Sequence, residues 1–214
     1  MKTTVFYLKY PKNPPDRWEH FEITFKVPTL PAYAIEFAEF YSTDEIEETQ
    51  KEYVEGVDFL IQGQDLVWKN FKEPLWADNA FYRLKIHYHG IRDFSLLFPH
   101  INDAELKQRL GCFYEEAEIA FENKSWLGFS LMCGAIYEGL LYDLFKNKDS
   151  FYVLIEKAFQ KEIVDEDTKI IMHTSRELRN LVHGNKYKEP YVTRTQAMDM
   201  RTIMDKLIKR DWEN

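Results

Sequence analysis

The stretch from Trp126 to Phe145 places the strongest constraint on how this chain can fold, because it is apolar almost all round. A helix of that composition has to be covered on several sides, so the stretch predicts a central helix with other elements packed around it. Glu138 and Asp143 interrupt the stretch. Two carboxylates within the span make a core helix a better interpretation than a membrane helix.

Further helices are predicted around this central one. Asn102, three residues ahead of Glu105, is typical of a capping box at a helix start, and the residues that follow form a single apolar stripe. The stripe consists of Leu106, Leu110, Phe113, Tyr114, Ala117, Ala120 and Phe121. Other helices are expected at Phe151 to Phe159, Asp165 to Val182 and Thr193 to Arg210. The pattern predicts a mainly α-helical bundle with a small N-terminal extended or β-hairpin segment.

The N-terminal part of the chain has a mixed pattern. Thr3 to Tyr10 and His20 to Val27 are aromatic and β-branched runs separated by prolines, so they predict two short strands. From Leu30 to Phe71 apolar residues recur at helical spacing, and helices are expected there. His87 and His89 would share a face only on a strand. They lack Cys or His partners at zinc-ligand spacing and therefore predict no metal site.

Length and composition allow a sizeable core. The chain has 214 residues, of which 45% are hydrophobic, enough for one domain or two small ones. We expect an N-terminal region at residues 1–101, with no assigned role, and a helical domain at residues 102–214. Cys112 and Cys133 offer neither metal-type spacing nor a disulfide framework, and the N-terminus has no signal-peptide pattern. A reducing cytoplasm is the simplest location.

Charge is distributed unevenly along the chain, whose formal net charge is −8. Between Ala34 and Asp58 there are nine acidic residues and one Lys, a net of −8. Between Lys169 and Arg210 ten Lys or Arg stand against four acids, a net of +6. The total argues against a protein that coats nucleic acid through bulk charge, but the distribution matters more than the sum.

The basic end contains a polar cluster of Arg176, Arg179, Asn180 and His183. On a helix these residues stand at i, i+3, i+4 and i+7, so they share one polar arc. The guanidinium of Arg provides a permanent positive charge and a fork of N–H donors that can bind a phosphate. The imidazole of His can accept or donate a proton near neutral pH. The alternative is a solvated basic face that ends in a left-handed cap at Gly184. The pattern alone leaves both interpretations open.

Glu138 is the carboxylate expected to support this cluster. In so apolar a helix it needs a partner, and the cations available in the same half of the chain are Arg176 and Arg179. A charge-assisted pair with one of them would hold that arginine in place. Lys186 and Lys188, in the loop that follows, are expected to add phosphate-binding charge.

These residues resemble the HEPN superfamily, the higher eukaryote and prokaryote nucleotide-binding helical domains, over about half of the chain. The resemblance rests on the amphipathic helix, on the central segment from Ser130 to Leu141, and on the segment from Leu178 to Gly184. Members carry an Arg and a His with four to six residues between them, and the Arg is commonly followed by a polar residue such as Asn. Arg179 has the Asn neighbour but only three residues before His183, whereas Arg176 has six. Both arginines are therefore candidates.

The resemblance implies a helical, HEPN-like domain that pairs with a second copy and acts as a metal-independent endoribonuclease of toxin–antitoxin or phage-defence type. His183 would be the general base or acid, and Arg176 or Arg179 would bind the scissile phosphate. Asn180 would orient the imidazole or bind an oxygen. The products would carry 2′,3′-cyclic phosphate ends.

No cofactor and no metal are expected with that chemistry. The expected partners are RNA or a nucleotide, a second copy in a homodimer and an antitoxin, with no membrane. Two alternatives use the same residues: a non-catalytic nucleotide- or RNA-binding module, and an interaction scaffold whose basic face meets an acidic partner.

Overall fold

The computed structural model of the protein describes residues 1–9, 11–12, 21–42, 52–71, 82–210 and 212. The chain forms two compact units, Met1–Leu97 and Phe98–Asn214. The strands named below belong to the first unit and the α-helices to the second, so the protein belongs to the α+β class.

The first unit contains two three-stranded antiparallel sheets. The strands are β1 Lys2–Leu8, β2 Phe21–Lys26, β3 Tyr33–Ser42, β4 Phe59–Gln62, β5 Asp65–Phe71 and β6 Tyr82–Ile91. One sheet has the strand order β1-β6-β3 and the other β2-β5-β4. Short 3₁₀ helices lie at Leu30–Ala32 and Phe94–Leu97. The two strands predicted near the N-terminus are present as β1 and β2, while Tyr10 and His20 lie outside the described residues.

Alternation along β6 divides the first sheet into an apolar and a polar face. Tyr82, Leu84 and Ile86 are completely buried, whereas Arg83 and His89 are exposed. Successive side chains of a strand point to opposite faces, so the buried set lies on one face and the polar set on the other. Buried and exposed side chains therefore alternate along β6 with the two-residue period of a strand.

The prediction of helices from Leu30 to Phe71 is wrong, and the mainly α-helical fold class is wrong with it. The described part of that range holds β3, β4 and β5. Leu60 and Ile61, whose spacing suggested a helix, lie in β4. Gly63 turns the chain from β4 into β5 with a φ of 59°, a left-handed conformation that glycine adopts without steric strain. This is a two-residue hairpin loop between apolar strands.

The second unit contains five α-helices within its described residues. They are α1 Ala104–Glu122, α2 Trp126–Phe145, α3 Phe151–Gln160, α4 Glu166–Leu178 and α5 Arg194–Ile208. The predicted central helix is confirmed, because α2 has the expected bounds and contacts each of the other four. Among the residues that the structure describes, none of the helices combines the length and the apolar character that a bilayer crossing requires.

Side-chain caps fix where several of these helices begin. The Asp103 carboxylate, rather than the predicted Asn102, accepts the backbone N–H groups of Glu105 and Leu106, both at 3.0 Å. A capping box is present at α5, where Thr193 and Gln196 satisfy each other's backbone N–H groups. Such caps stabilise a helix by about 1 kcal/mol each, so the starts of the capped helices are encoded locally.

Close packing holds α2 in place on both sides of Glu138. A methyl group added at Gly139 would lie 2.6 Å from Leu110 Cδ2 of α1, so α1 and α2 approach each other too closely for a side chain there. On the other side the Tyr137 hydroxyl, fully buried, donates to the carbonyl of Met200 in α5 at 2.6 Å. The backbone that carries Glu138 is therefore rigidly placed.

Candidate functional site

The regular α-helix assumed for the arginine and histidine cluster ends before the cluster does. The α-helix α4 ends at Leu178, and Arg179–Val182 continues as a 3₁₀ helix. His183 follows with an extended backbone, φ −81° and ψ 127°. Because a 3₁₀ helix turns by about 120° and rises about 2 Å per residue, the spacing of Arg176 and His183 differs from the one that a continuous α-helix would give. The left-handed cap expected at Gly184 is also wrong, since Gly184 opens a second short 3₁₀ helix and has no positive φ.

The two arginines turn toward different neighbours. Arg179 Nη1 lies 3.4 Å from Glu138 Oε2 on α2, which is an ion pair of the kind expected from the sequence. Arg176 instead faces α3, with its guanidinium carbon 5.4 Å from the centre of the Tyr152 ring, and its Nη2 lies 3.4 Å from Glu177. Arg179, at 59% side-chain exposure, is the more accessible of the two. Arg179 is thus the arginine that belongs with the turn leading to His183.

The segment from Asn180 to Lys188 is a solvent-facing polar turn. Asn180, His183, Lys186 and Lys188 are all exposed. The side chains of Asn180 and His183 make no hydrogen bond or ion pair to any residue that the structure describes. Lys186 makes a contact with Glu189 at 3.5 Å, and Lys188 lies over the Tyr187 ring. These groups are open to a ligand from solvent.

A second polar cluster on α3 and α4 was missed by the sequence reasoning. His173 Nε2 lies 2.8 Å from Glu156 Oε1, and Lys169 Nζ lies 3.2 Å from Glu156 Oε2. Hydrogen bonds from His173 and then Lys169 hold the pKa of the Glu156 carboxyl below its ordinary value. A sequence signal existed, because His173 stands one turn before Arg176 and four residues after Lys169, positions that share a helix face.

The first unit carries two histidines on the polar face of its β1-β6-β3 sheet. His87 and His89 share that face, as they can only on a strand, but each has a different carboxylate partner. His87 Nε2 lies 2.5 Å from Glu39 Oε1, and His89 Nε2 lies 2.7 Å from Glu36. Burial raises the pKa of Glu39, yet hydrogen bonds from Tyr41, Lys85 and His87 bring it below the ordinary value. Cross-strand pairing accounts for both histidines.

The described residues contain no group of three or more His, Cys, Asp or Glu side chains placed to hold a metal ion. Comparison of the chain with protein-family models, with curated proteins and with solved structures gives no match.

Proposed function

We propose that the second unit binds RNA at the turn from Arg179 to Lys188 and cleaves it without a metal ion. The observation that carries the proposal is that His183 and Arg179 are both exposed on one short turn, with the imidazole unengaged by any described residue. Between Arg176 and Lys188 four Lys or Arg stand against one Glu, a net of +3. A local positive charge of this kind attracts a phosphate backbone even on an acidic protein.

Cleavage by this site follows from the chemistry of RNA, which carries its own nucleophile. His183 takes the proton of the 2′-hydroxyl, the 2′-oxygen attacks the phosphorus, and the bond to the 5′-oxygen breaks to leave a 2′,3′-cyclic phosphate. Arg179 stabilises the charge that develops on the phosphoryl oxygens. Lys186 and Lys188 hold the flanking strand, and Asn180 can orient the imidazole or bind an oxygen.

The departing 5′-oxygen needs a proton, which a single imidazole that has just acted as base supplies poorly. A second copy of the chain in a homodimer would provide another His183 for that role. The resemblance of the segment from Leu178 to Gly184 to HEPN ribonucleases supports this arrangement. It also supports a defence or toxin role in the cytoplasm with an antitoxin partner, which we include in the proposal.

The test is cleavage of a fluorescent single-stranded RNA by the purified chain in EDTA. His183→Ala should lower the rate by about 10²- to 10⁴-fold, which is the usual contribution of a general acid or base. His89→Ala is the matched control, because it removes an exposed imidazole from the first unit. Cleavage by His183→Ala at the parent rate would exclude the catalytic role of this histidine.

A second candidate, RNA or nucleotide binding without cleavage, is favoured by one observation. His183 lies beyond the end of α4, so its position relative to Arg179 is set by a 3₁₀ turn and not by the helix period that the motif would give. Saturable binding that weakens with salt, together with intact RNA after long incubation, would select this candidate. The scaffold alternative has less support, since the contacts of Arg176 with Glu177 and of Arg179 with Glu138 are both long, at 3.4 Å.

A further inference from the structure

Two buried nitrogen atoms on α4 have no hydrogen-bond partner among the residues that the structure describes. They are His173 Nδ1 and Arg176 Nε. The two residues are one turn apart on the same helix, so their side chains are neighbours. A buried polar group without a partner is unfavourable, and two at adjacent positions call for a common explanation.

Both atoms are hydrogen-bond donors when the His173 ring is an imidazolium. The Glu156 carboxylate lies 2.8 Å from Nε2, and in the imidazolium form Nδ1 carries a proton as well. Arg176 Nε always carries a proton. In that form the pair offers two N–H groups and positive charge, which is the chemistry that binds an oxyanion.

One tyrosine covers both donors. The Tyr152 ring centre lies 5.1 Å from that of His173 and 5.4 Å from the Arg176 guanidinium carbon. Tyr152 comes from α3 and is 51% exposed. A side chain exposed to that extent can turn into solvent, since exposed rotamers exchange rapidly. Outward rotation of this ring would open the two N–H groups.

We propose that His173 Nδ1 and Arg176 Nε bind a phosphate oxygen of the RNA strand, with Tyr152 rotated outward, as a second subsite beside the turn at Arg179. This inference rests on the proposed function, because it names where a neighbouring phosphate of the same strand binds. Arg176 and Arg179 are separated by about 4.5 Å along the helix axis, a distance that one strand spans. The two subsites together select a polynucleotide over a mononucleotide.

The direct test observes the Arg176 Nε–H signal by nuclear magnetic resonance in the full chain. The probes are inorganic phosphate and a ten-nucleotide RNA with 2′-O-methyl groups, which lacks the nucleophile and so stays intact. We expect both probes to shift the Arg176 Nε–H signal. Tyr152→Ala should strengthen the binding of inorganic phosphate severalfold, because it removes the ring that covers the donors.

The affinity test compares variants by fluorescence anisotropy with the same RNA. His173→Gln should weaken binding of the ten-nucleotide RNA by about tenfold, the expected loss for a charge-assisted hydrogen bond, and should also weaken binding of inorganic phosphate. Lys161→Gln is the control, because it removes one positive charge near the end of α3 without touching the pair. Circular dichroism checks that each variant folds.

The outcomes separate this inference from the proposed function. If the Arg176 Nε–H signal is unmoved by RNA, whether or not phosphate shifts it, the subsite proposal is wrong even if the chain cleaves RNA. If RNA moves the signal and His173→Gln weakens binding, the subsite stands even when no cleavage is found. Equal loss of affinity in His173→Gln and Lys161→Gln would also overturn it, since general charge would then explain the effect.

Discussion

Replacing Glu138 with Gln tests whether this carboxylate positions Arg179 or only reduces the local positive charge. The ion pair is a single contact of 3.4 Å between partly exposed side chains, and pairs of this kind have little hold on geometry. A phosphate on the far side of the guanidinium would lie about 7 Å from the carboxylate, where Coulomb repulsion in water amounts to about 0.6 kcal/mol. We therefore expect Glu138→Gln to tighten RNA binding by about threefold.

The assay is fluorescence anisotropy with an uncleavable RNA over a range of salt concentrations. Glu166→Gln is the matched control: it removes the same charge from the other end of α4, about 20 Å from Arg179 and beyond the screening length of about 8 Å. The gain from Glu138→Gln should shrink as salt rises, and the control should bind like the parent. Weaker RNA binding by Glu138→Gln would refute the reasoning and assign Glu138 a positioning role.

Three further predictions concern the packing that holds the second unit together. Tyr137→Phe should lower the free energy of unfolding by about 1–2 kcal/mol in urea denaturation, because the buried hydrogen bond to the Met200 carbonyl is lost. Gly139→Ala should destabilise by about 1–3 kcal/mol through overlap with Leu110, and a Leu110→Ala background should reduce that penalty in a double-mutant cycle. Burial lowers the pKa of His100 from 6.5 to about 4, so the unfolded chain takes up a proton at a higher pH than the folded chain does. The free energy of unfolding should therefore fall by up to about 3 kcal/mol as the pH drops from 6.5 toward 4. His100→Gln should remove this pH-dependent loss.

The α-helices of the second unit could be predicted because their signals are local and agree with one another. The apolar run of α2 ends at polar residues on both sides, so its bounds follow from composition alone. The hairpin of β4 and β5 was missed because Leu60 and Ile61 match a helix period over a short window, where periodicity distinguishes helices and strands poorly. Gly63, which follows this window directly, is the turn signal that favours the strands.

The site was predictable in its residue types and not in its arrangement. That Arg179 and His183 would be exposed follows from their polarity, and the pairing of Glu138 with an arginine follows from the cost of an unpaired carboxylate in an apolar helix. The change from an α-helix to a 3₁₀ helix after Leu178 has no clear sequence signal, because Arg179 to Val182 are all compatible with either. That change makes the spacing of Arg176 and His183 different from the one that a continuous α-helix would give.

The separation of the two arginines also gives the acidic neighbours different roles. Glu156 lies 2.8 Å from His173 Nε2 on a half-buried surface, so it fixes the orientation of that imidazole, whose other ring nitrogen is buried without a described partner. Glu138 faces an exposed guanidinium across a 3.4 Å contact, so its main effect is on the local charge. A phosphate chain that follows α4 would therefore meet the His173–Arg176 pair, once Tyr152 has turned outward, and then the turn that carries His183. The His173–Arg176 pair would then contribute mainly to RNA affinity, and His183 would contribute to proton transfer. Variants of His173 should therefore change the affinity for RNA, whereas variants of His183 should change the cleavage rate.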